Sequence, residues 1–327
     1  MSKQQDMLKA MRFEGPEYVP VRMGILPAAW MKYREALDEL VAEHPVLFEG
    51  HRRGQRDYDE IPRERFMKGE YVDPWGCVWC NAQDGIEAIV KKHPLPERED
   101  VRGLEPPEED MGMPHGFMFL RLADLRGFEE IMVDFAEEPP ELGMLIDAVL
   151  EYNMRQLEIR LKDEKDEELL YFGDDNGHQN SLAISPQKWR KYIKPCYAKI
   201  YERCHQEGHS VYMHTDGHIY EVIPDLVECG VNVINPQIRA NGLDNLVATC
   251  KGKVCVDLDL DRQLFPFATP SQLDEHVHEA VEKLGAPEGG LWLKAEVDHG
   301  VSLENIEALC RALEKYRSYF SARGAAA

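Results

Sequence analysis

The sequence predicts an α/β fold, a (β/α)8 TIM barrel with an N-terminal elaboration, and two observations carry the prediction. In the second half, short β-branched or aromatic runs alternate with helix-length amphipathic segments, the rhythm of βα units around a parallel sheet. The residues that end these runs are consistently polar, as expected where a barrel carries its chemistry on the loops leaving the C-terminal ends of its strands. With 327 residues, no internal repeat and no half that looks self-sufficient, the chain reads as one domain over residues 1–327.

Strands are expected at 19–25, 77–80 and 117–122 in the less regular first half, and at 169–173, 210–214, 231–235, 253–258 and 290–295 in the second. Residues 94–107 form a proline- and acid-rich exposed connection. Ser185-Pro186 opens a helix whose buried face is Trp189, Tyr192, Ile193, Cys196, Tyr197, Ile200 and Cys204, with a kink or break at Pro195 and a stop at Gly208. Thr269-Pro270 opens another, with Leu273, Val277, Ala280, Val281 and Leu284 inward and Gly285 at its end. Ser302 caps a last helix carrying Ile306, Leu309, Cys310, Leu313 and Tyr316, and a small-residue tail, Ala325 to Ala327, follows.

Sixty acidic against 38 basic residues give a net charge of -22, which repels nucleic acid and anionic lipid. The densest basic stretch, Lys188, Arg190, Lys191 and Lys194, reads as a solvated helix face. No apolar run approaches the roughly 20 residues of a membrane span, and the first 15 residues lack the apolar core of a secretory signal, so a cytoplasmic location is expected. The eight cysteines are then reduced thiols; Cys77 and Cys80 have zinc-knuckle spacing but no second pair, and read as packing in or beside a strand.

The polar strand ends are Asp174, Asp175 and His178; His214, Asp216 and His218; Asn235 and Gln237; Asp257, Asp259 and Asp261; and Glu296, Asp298 and His299. In His214-Thr215-Asp216-Gly217 two ligand types one residue apart point the same way, a part-set for zinc, with a third ligand from Glu296, Asp298 or His299. The bland alternative is that Asp216 caps the next helix and His214 hydrogen-bonds it. The run from Val256 to Asp261 puts three carboxylates on one strand face, which calls for a metal, an arginine or solvent beside them.

These residues resemble a known family. Tyr171-Phe172-Gly173-Asp174-Asp175-Asn176-Gly177-His178-Gln179 with Ser185-Pro186 and Lys194-Pro195 is similar to segments of the uroporphyrinogen decarboxylase superfamily. So are His214-Thr215-Asp216-Gly217, Asp261-Arg262-Gln263, Phe267-Ala268-Thr269-Pro270, Gly289-Gly290, His299-Gly300 and Glu304-Asn305-Ile306, with Pro20-Val21 and Asp73-Pro74-Trp75-Gly76 near the start. The resemblance implies a barrel used by porphyrinogen decarboxylases and by zinc-dependent methyltransferases that work with corrinoid proteins. The decarboxylases' arginine-rich segment has no counterpart in Met23 to Ala28, which turns the reading from decarboxylation. In thiol-methylating members a histidine and two cysteines hold zinc; here His214 matches, but Asp216 stands at the first cysteine's place and no cysteine lies near His299. Oxygen ligands leave zinc a harder Lewis acid suited to an ether oxygen.

The implied function is zinc-dependent demethylation of a methoxylated compound, an aromatic one by preference, with the methyl group passing to the cobalt of a corrinoid (cobalamin) carried by a partner protein. The alternatives are a methylcobamide:thiol methyltransferase and a metal-free decarboxylase. His214, Asp216 and one of Glu296 or His299 are expected to bind metal, and Asp174, Asp175, Asn235 and Gln237 to position substrate. The expected partners are a small-molecule methyl donor and the corrinoid protein, with a homodimer compatible.

Overall fold

The structure, a computed structural model, describes residues 3–61 and 66–324; the first two residues and the tail from Ala325 to Ala327 lie outside the described residues. Helix α1 (Lys3–Arg12), strand β1 (Val21–Ile25) and helix α2 (Pro27–Ala42) open the chain, followed by β2 (Gly69–Val72), β3 (Val78–Asn81) and β4 (Ile89–Lys92). Then come α3 (Phe119–Arg126), α4 (Phe128–Glu137), α5 (Pro140–Asp163), β5 (Leu169–Gly173), α6 (Pro186–Tyr192), α7 (Lys194–Gln206), β6 (Ser210–Thr215) and α8 (Ile223–Glu228). The chain closes with β7 (Val233–Pro236), α9 (Ile238–Asn241), α10 (Leu243–Cys250), β8 (Cys255–Asp259), α11 (Pro270–Leu284), β9 (Leu291–Val297), α12 (Leu303–Tyr316) and α13 (Tyr319–Gly324). This is the expected α/β barrel class, with parallel β-strands alternating with helices and an N-terminal elaboration built around β2 to β4. No helix is long and apolar enough to cross a membrane among the described residues.

The chain divides into two compact units, Met1–Met67 with Gln83–Glu87 and Asn235–Ala327, and Lys68–Ala82 with Ala88–Ile234. In the first, β1 pairs in parallel with β9 (Val21 opposite Leu293) and β9 with β8 (Trp292 opposite Asp257). Along β9 the apolar Leu291, Leu293, Ala295 and Val297 alternate with Trp292, Lys294 and Glu296, so one face is apolar and the other is largely charged. Helix α1 locks onto the start of β9 through glycine: Gly290 N–H donates to the Ala10 carbonyl, and a Cβ at Gly289 would lie 2.9 Å from Ala10. The caps act as expected, Thr269 accepting from Gln272 N–H and Ser302 from Asn305 N–H. The carboxylates beside β8 each have an arginine: Asp257 meets Arg22, Asp259 meets Arg262, and Asp261 meets Arg239 at 2.8 Å. Guanidinium groups thus balance this acidic run.

In the second unit β2, β3 and β4 form an antiparallel sheet, and β5 pairs in parallel with β6 from Leu169 opposite Ser210 to Gly173 opposite His214. The strand expected at 117–122 is instead helix α3. Its buried residues Phe119, Leu122 and Leu125 fall at helical spacing, a stripe that the continuous apolar run Phe117-Met118-Phe119-Leu120 masks. The expected break near Pro195 separates α6 from α7 at Ile193. The connection 94–107 carries a short 3-10 helix at Arg98–Gly103. Asp73 organises the turn that holds Cys77: its carboxylate accepts from Cys77 N–H, the Trp79 indole and Arg121. Cys77 is buried, and burial pushes its thiol far up, which fits packing and not ligation. All eight cysteines are free.

Candidate metal centre

The C-terminal ends of β5 and β6 run out into two adjoining loops. Asp174 N–H donates to the His214 carbonyl at 3.0 Å, and His218 N–H to the His178 carbonyl at 2.8 Å. Between these bonds Gly177 and Gly217 touch backbone to backbone. Gly217 has φ 84°, and a Cβ there would collide with Gly177, so a glycine is needed at this crossing.

Adjacent aspartates on the first loop face different partners. Asp174 is buried; its carboxylate accepts from Phe119 N–H, from Leu120 N–H at 2.9 Å and from Tyr197 Oη at 2.7 Å. It therefore caps the N-terminus of α3. Burial pushes its carboxyl up to about 6, against the pull of those three donors. Asn176, also buried, is enclosed by the Trp189 indole, Tyr197 and Thr215.

Asp175 turns the other way, with Oδ2 3.0 Å from His115 Nε2, Oδ1 accepting from Asp216 N–H at 2.8 Å, and Oδ1 3.9 Å from His214 Nε2. Burial acts to raise its carboxyl, but the hydrogen bond and charge of His115, with His214 and the Asp216 amide, hold it below the usual range. Donor atoms of His115, Asp175 and His214 all lie within 4.8 Å of one another. His214 Nε2 is also 3.3 Å from Asp216 Oδ1. A tetrahedral zinc with bonds of about 2.0–2.1 Å sets its ligand atoms roughly 3.3 Å apart, so two imidazoles and a carboxylate at these spacings suit it.

His115 was not among the expected residues. It sits in Met113-Pro114-His115-Gly116, just before α3, and is seated over β5: Gly116 N–H donates to the Gly173 carbonyl, and a Cβ at Gly173 would lie 2.6 Å from His115 Nδ1. Gly173 thus makes room for the imidazole. A histidine between proline and glycine in an acidic loop was the available signal. Two residues back along each strand, on the same face as Gly173 and His214, Tyr171 and Tyr212 pack with ring centroids 4.7 Å apart, and Tyr171 is 44% exposed.

Of the other expected residues, Asn235 is buried and its Nδ2 donates to the Asp257 carbonyl, while Gln237 bridges Asp259 in parallel. Glu296 is engaged by Arg262 and, at 3.5 Å, Lys294. His299 Nδ1 lies 2.9 Å from Asp298 Oδ1, and both side chains are exposed. His178 meets the edge of Phe128 and His218 that of Tyr220.

Fold and strand-end loops together define the class, an α/β barrel with titratable groups at the C-terminal ends of its strands. The model of the family described as uroporphyrinogen decarboxylase (URO-D) matches residues 119–316, and the chain belongs to that family. No curated protein sequence matches the chain. Among solved structures, a methyltransferase from Methanosarcina mazei is 16% identical over 97% of this chain and 99% of its own, with a TM-score of 0.67. A B12-independent methionine synthase from Shewanella sp. W3-18-1, in complex with selenomethionine, is 13% identical over 74% of this chain and 71% of its own, at 0.38. A dihydropteroate synthase from Xanthomonas albilineans, with 4-aminobenzoic acid, is 18% identical over 49% and 58%, at 0.34.

Proposed function

We propose that this chain is a zinc-dependent methyltransferase that demethylates a methoxylated, aromatic compound and hands the methyl group to the cobalt of a corrinoid protein. The observation that carries the reading is the convergence of His115, Asp175 and His214. We assign these three as ligands, with Asp216 as the adjacent oxygen donor. Glu296 and His299, the earlier choices for a third ligand, have partners of their own in Arg262, Lys294 and Asp298, and the reading does not require them.

A zinc held there supplies Lewis acidity toward an ether oxygen, offsetting the charge that grows on a departing phenolate. The protein's own groups do the rest. Asp175 stays ionised between the imidazoles and, through the Asp216 amide, ties the two loops together. Asp174 fixes the start of α3 and so the loop that presents His115. The exposed Tyr171 ring, backed by Tyr212, offers an aromatic donor a face to stack on.

The competing decarboxylase reading needs cationic groups for substrate carboxylates. The arginine on β1, Arg22, is already committed to Asp257. The discriminating assay incubates purified chain, a corrinoid protein in the cobalt(I) state and a panel of methoxylated aromatics, following methyl-cobalt formation by absorbance. The reading predicts methyl transfer that strong chelation abolishes and zinc restores. Transfer indifferent to chelation removes the metal from the proposal, and carbon dioxide release from porphyrinogens without methyl transfer replaces it with decarboxylation.

A further inference from the structure

A cavity lies in the first unit, by the start of β1. It measures about 310 Å³ and is walled by Val19, Pro20, Val21, Pro45 and Val46, with Lys3, Asp6, Tyr18, Glu49 and Arg317 around it. The part of α1 that lines it is held in place, since Asp6 accepts from Glu17 N–H and Val19 N–H donates to the Arg317 carbonyl.

Its charges are unevenly satisfied. The Arg317 guanidinium lies 4.1 Å from the centroid of the Tyr18 ring and makes no ion pair or side-chain hydrogen bond among the described residues. A guanidinium held over an aromatic ring keeps N–H groups that can meet a carboxylate in bidentate fashion. Lys3 likewise has no hydrogen-bonded or ion-paired partner among the described residues. Burial, then the charges of Arg22 and Arg317, disfavour its ammonium, and Glu49 only partly compensates. Asp6 is buried and accepts a hydrogen bond from a neutral backbone amide, and the exposed Glu49 is the second carboxylate of the lining. The formal charges of the lining balance, Lys3 and Arg317 against Asp6 and Glu49, but the guanidinium and the ammonium are left without a hydrogen-bonded or ion-paired partner among the described residues, and a carboxylate offers them one.

We propose that this cavity binds a small monocarboxylate, its carboxylate forked by Arg317 and met by Lys3, and its short apolar body against Val19, Pro20, Val21, Pro45 and Val46. The volume is at the lower end of the roughly 300–1,000 Å³ of small-molecule sites, which favours a short ligand. Val19 and Pro20 precede β1, so this ligand meets the strand's N-terminal end, whereas barrel chemistry belongs to the C-terminal ends. The site is therefore a structural or regulatory one.

The test is calorimetric titration of the full chain with butyrate, using butylammonium as the shape-matched cation. Butyrate is expected to bind and butylammonium not to. Arg317→Ala should weaken butyrate about tenfold or more, Arg317→Lys should recover only part of that by restoring charge without the fork, and Glu49→Gln should tighten binding. The proposal is overturned if the wild type does not bind butyrate, if butyrate binds equally to the wild type and both Arg317 variants, or if the cation binds as well as the anion. Glu49→Gln alters an exposed side chain, so it keeps the test decisive if the arginine variants misfold.

Discussion

Asp175 accepts from a backbone amide and faces two imidazoles, which makes it the residue whose loss is felt at every arm of the site. Asp175→Asn is expected to lower zinc affinity by more than the roughly 10–100-fold that losing an outer-shell partner costs, read by competition with a chromogenic chelator. Tyr171→Ala should raise KM for an aromatic methyl donor roughly 2–10-fold, the value of one aromatic contact, with little change in kcat. A separate prediction concerns Asp124, which burial pushes up to about 6 despite the neighbouring Arg121. A carboxyl whose folded value is raised contributes stability that is full below its unfolded value and lost as pH rises through the folded one. Relative to Asp124→Asn, the wild type should therefore lose about 2 kcal/mol between pH 4 and pH 7 in denaturant titrations; parallel stability curves would contradict it. Asp175, His214 and Asp216 were legible as polar groups because they end strands, where β-periodicity tells which way they point, but only His214 and Asp216 were expected to bind metal, and Asp175 to position substrate. His115 was not, because its position depends on a loop docking over a glycine about 60 residues later in the chain.

Among elements, α3 shows how a site is assembled from a distance. Its first turn is capped by Asp174, from the strand end that also carries Asp175, so hydrogen bonds tie the helix and the His115 loop to β5. Asp174→Ala is expected to cost about 1 kcal/mol as a lost cap, more if the buried amides stay unpaired, and to weaken zinc binding although Asp174 touches no metal. The same substitution in a His115→Ala background should weaken zinc no further, which separates positioning from general destabilisation. Gly217→Ala, at positive φ and against Gly177, should destabilise by well over 1 kcal/mol in thermal unfolding. The strands from β5 onward were legible because β-branched and aromatic runs there are cleanly bounded by polar loops. A helix stands where a strand is expected at 117–122 because four consecutive apolar residues fit a strand or a buried helix equally, and Leu125, which extends the stripe, lies beyond the run.

For the whole molecule, the α/β barrel class was legible in the alternation of the second half, and the family in motifs spread along the chain. The antiparallel sheet of β2, β3 and β4 was read only at its middle strand. Its outer strands carry short, mixed sequences in which Val72 and Ile89 are 64% and 71% exposed, so no burial pattern announces them. The acidic run beside β8 left its counter-ion open, since Arg22 and Arg239 come from elsewhere in the sequence. A bound metal couples to the entire fold, so excess zinc should raise Tm and strong chelation lower it. The most direct test of the centre is elemental analysis of purified wild type, His214→Ala and His115→Ala, each checked by circular dichroism for retained fold. The account predicts about one zinc per wild-type chain and almost none in either variant. Full zinc in folded variants, or none in a zinc-supplied wild type, would contradict it.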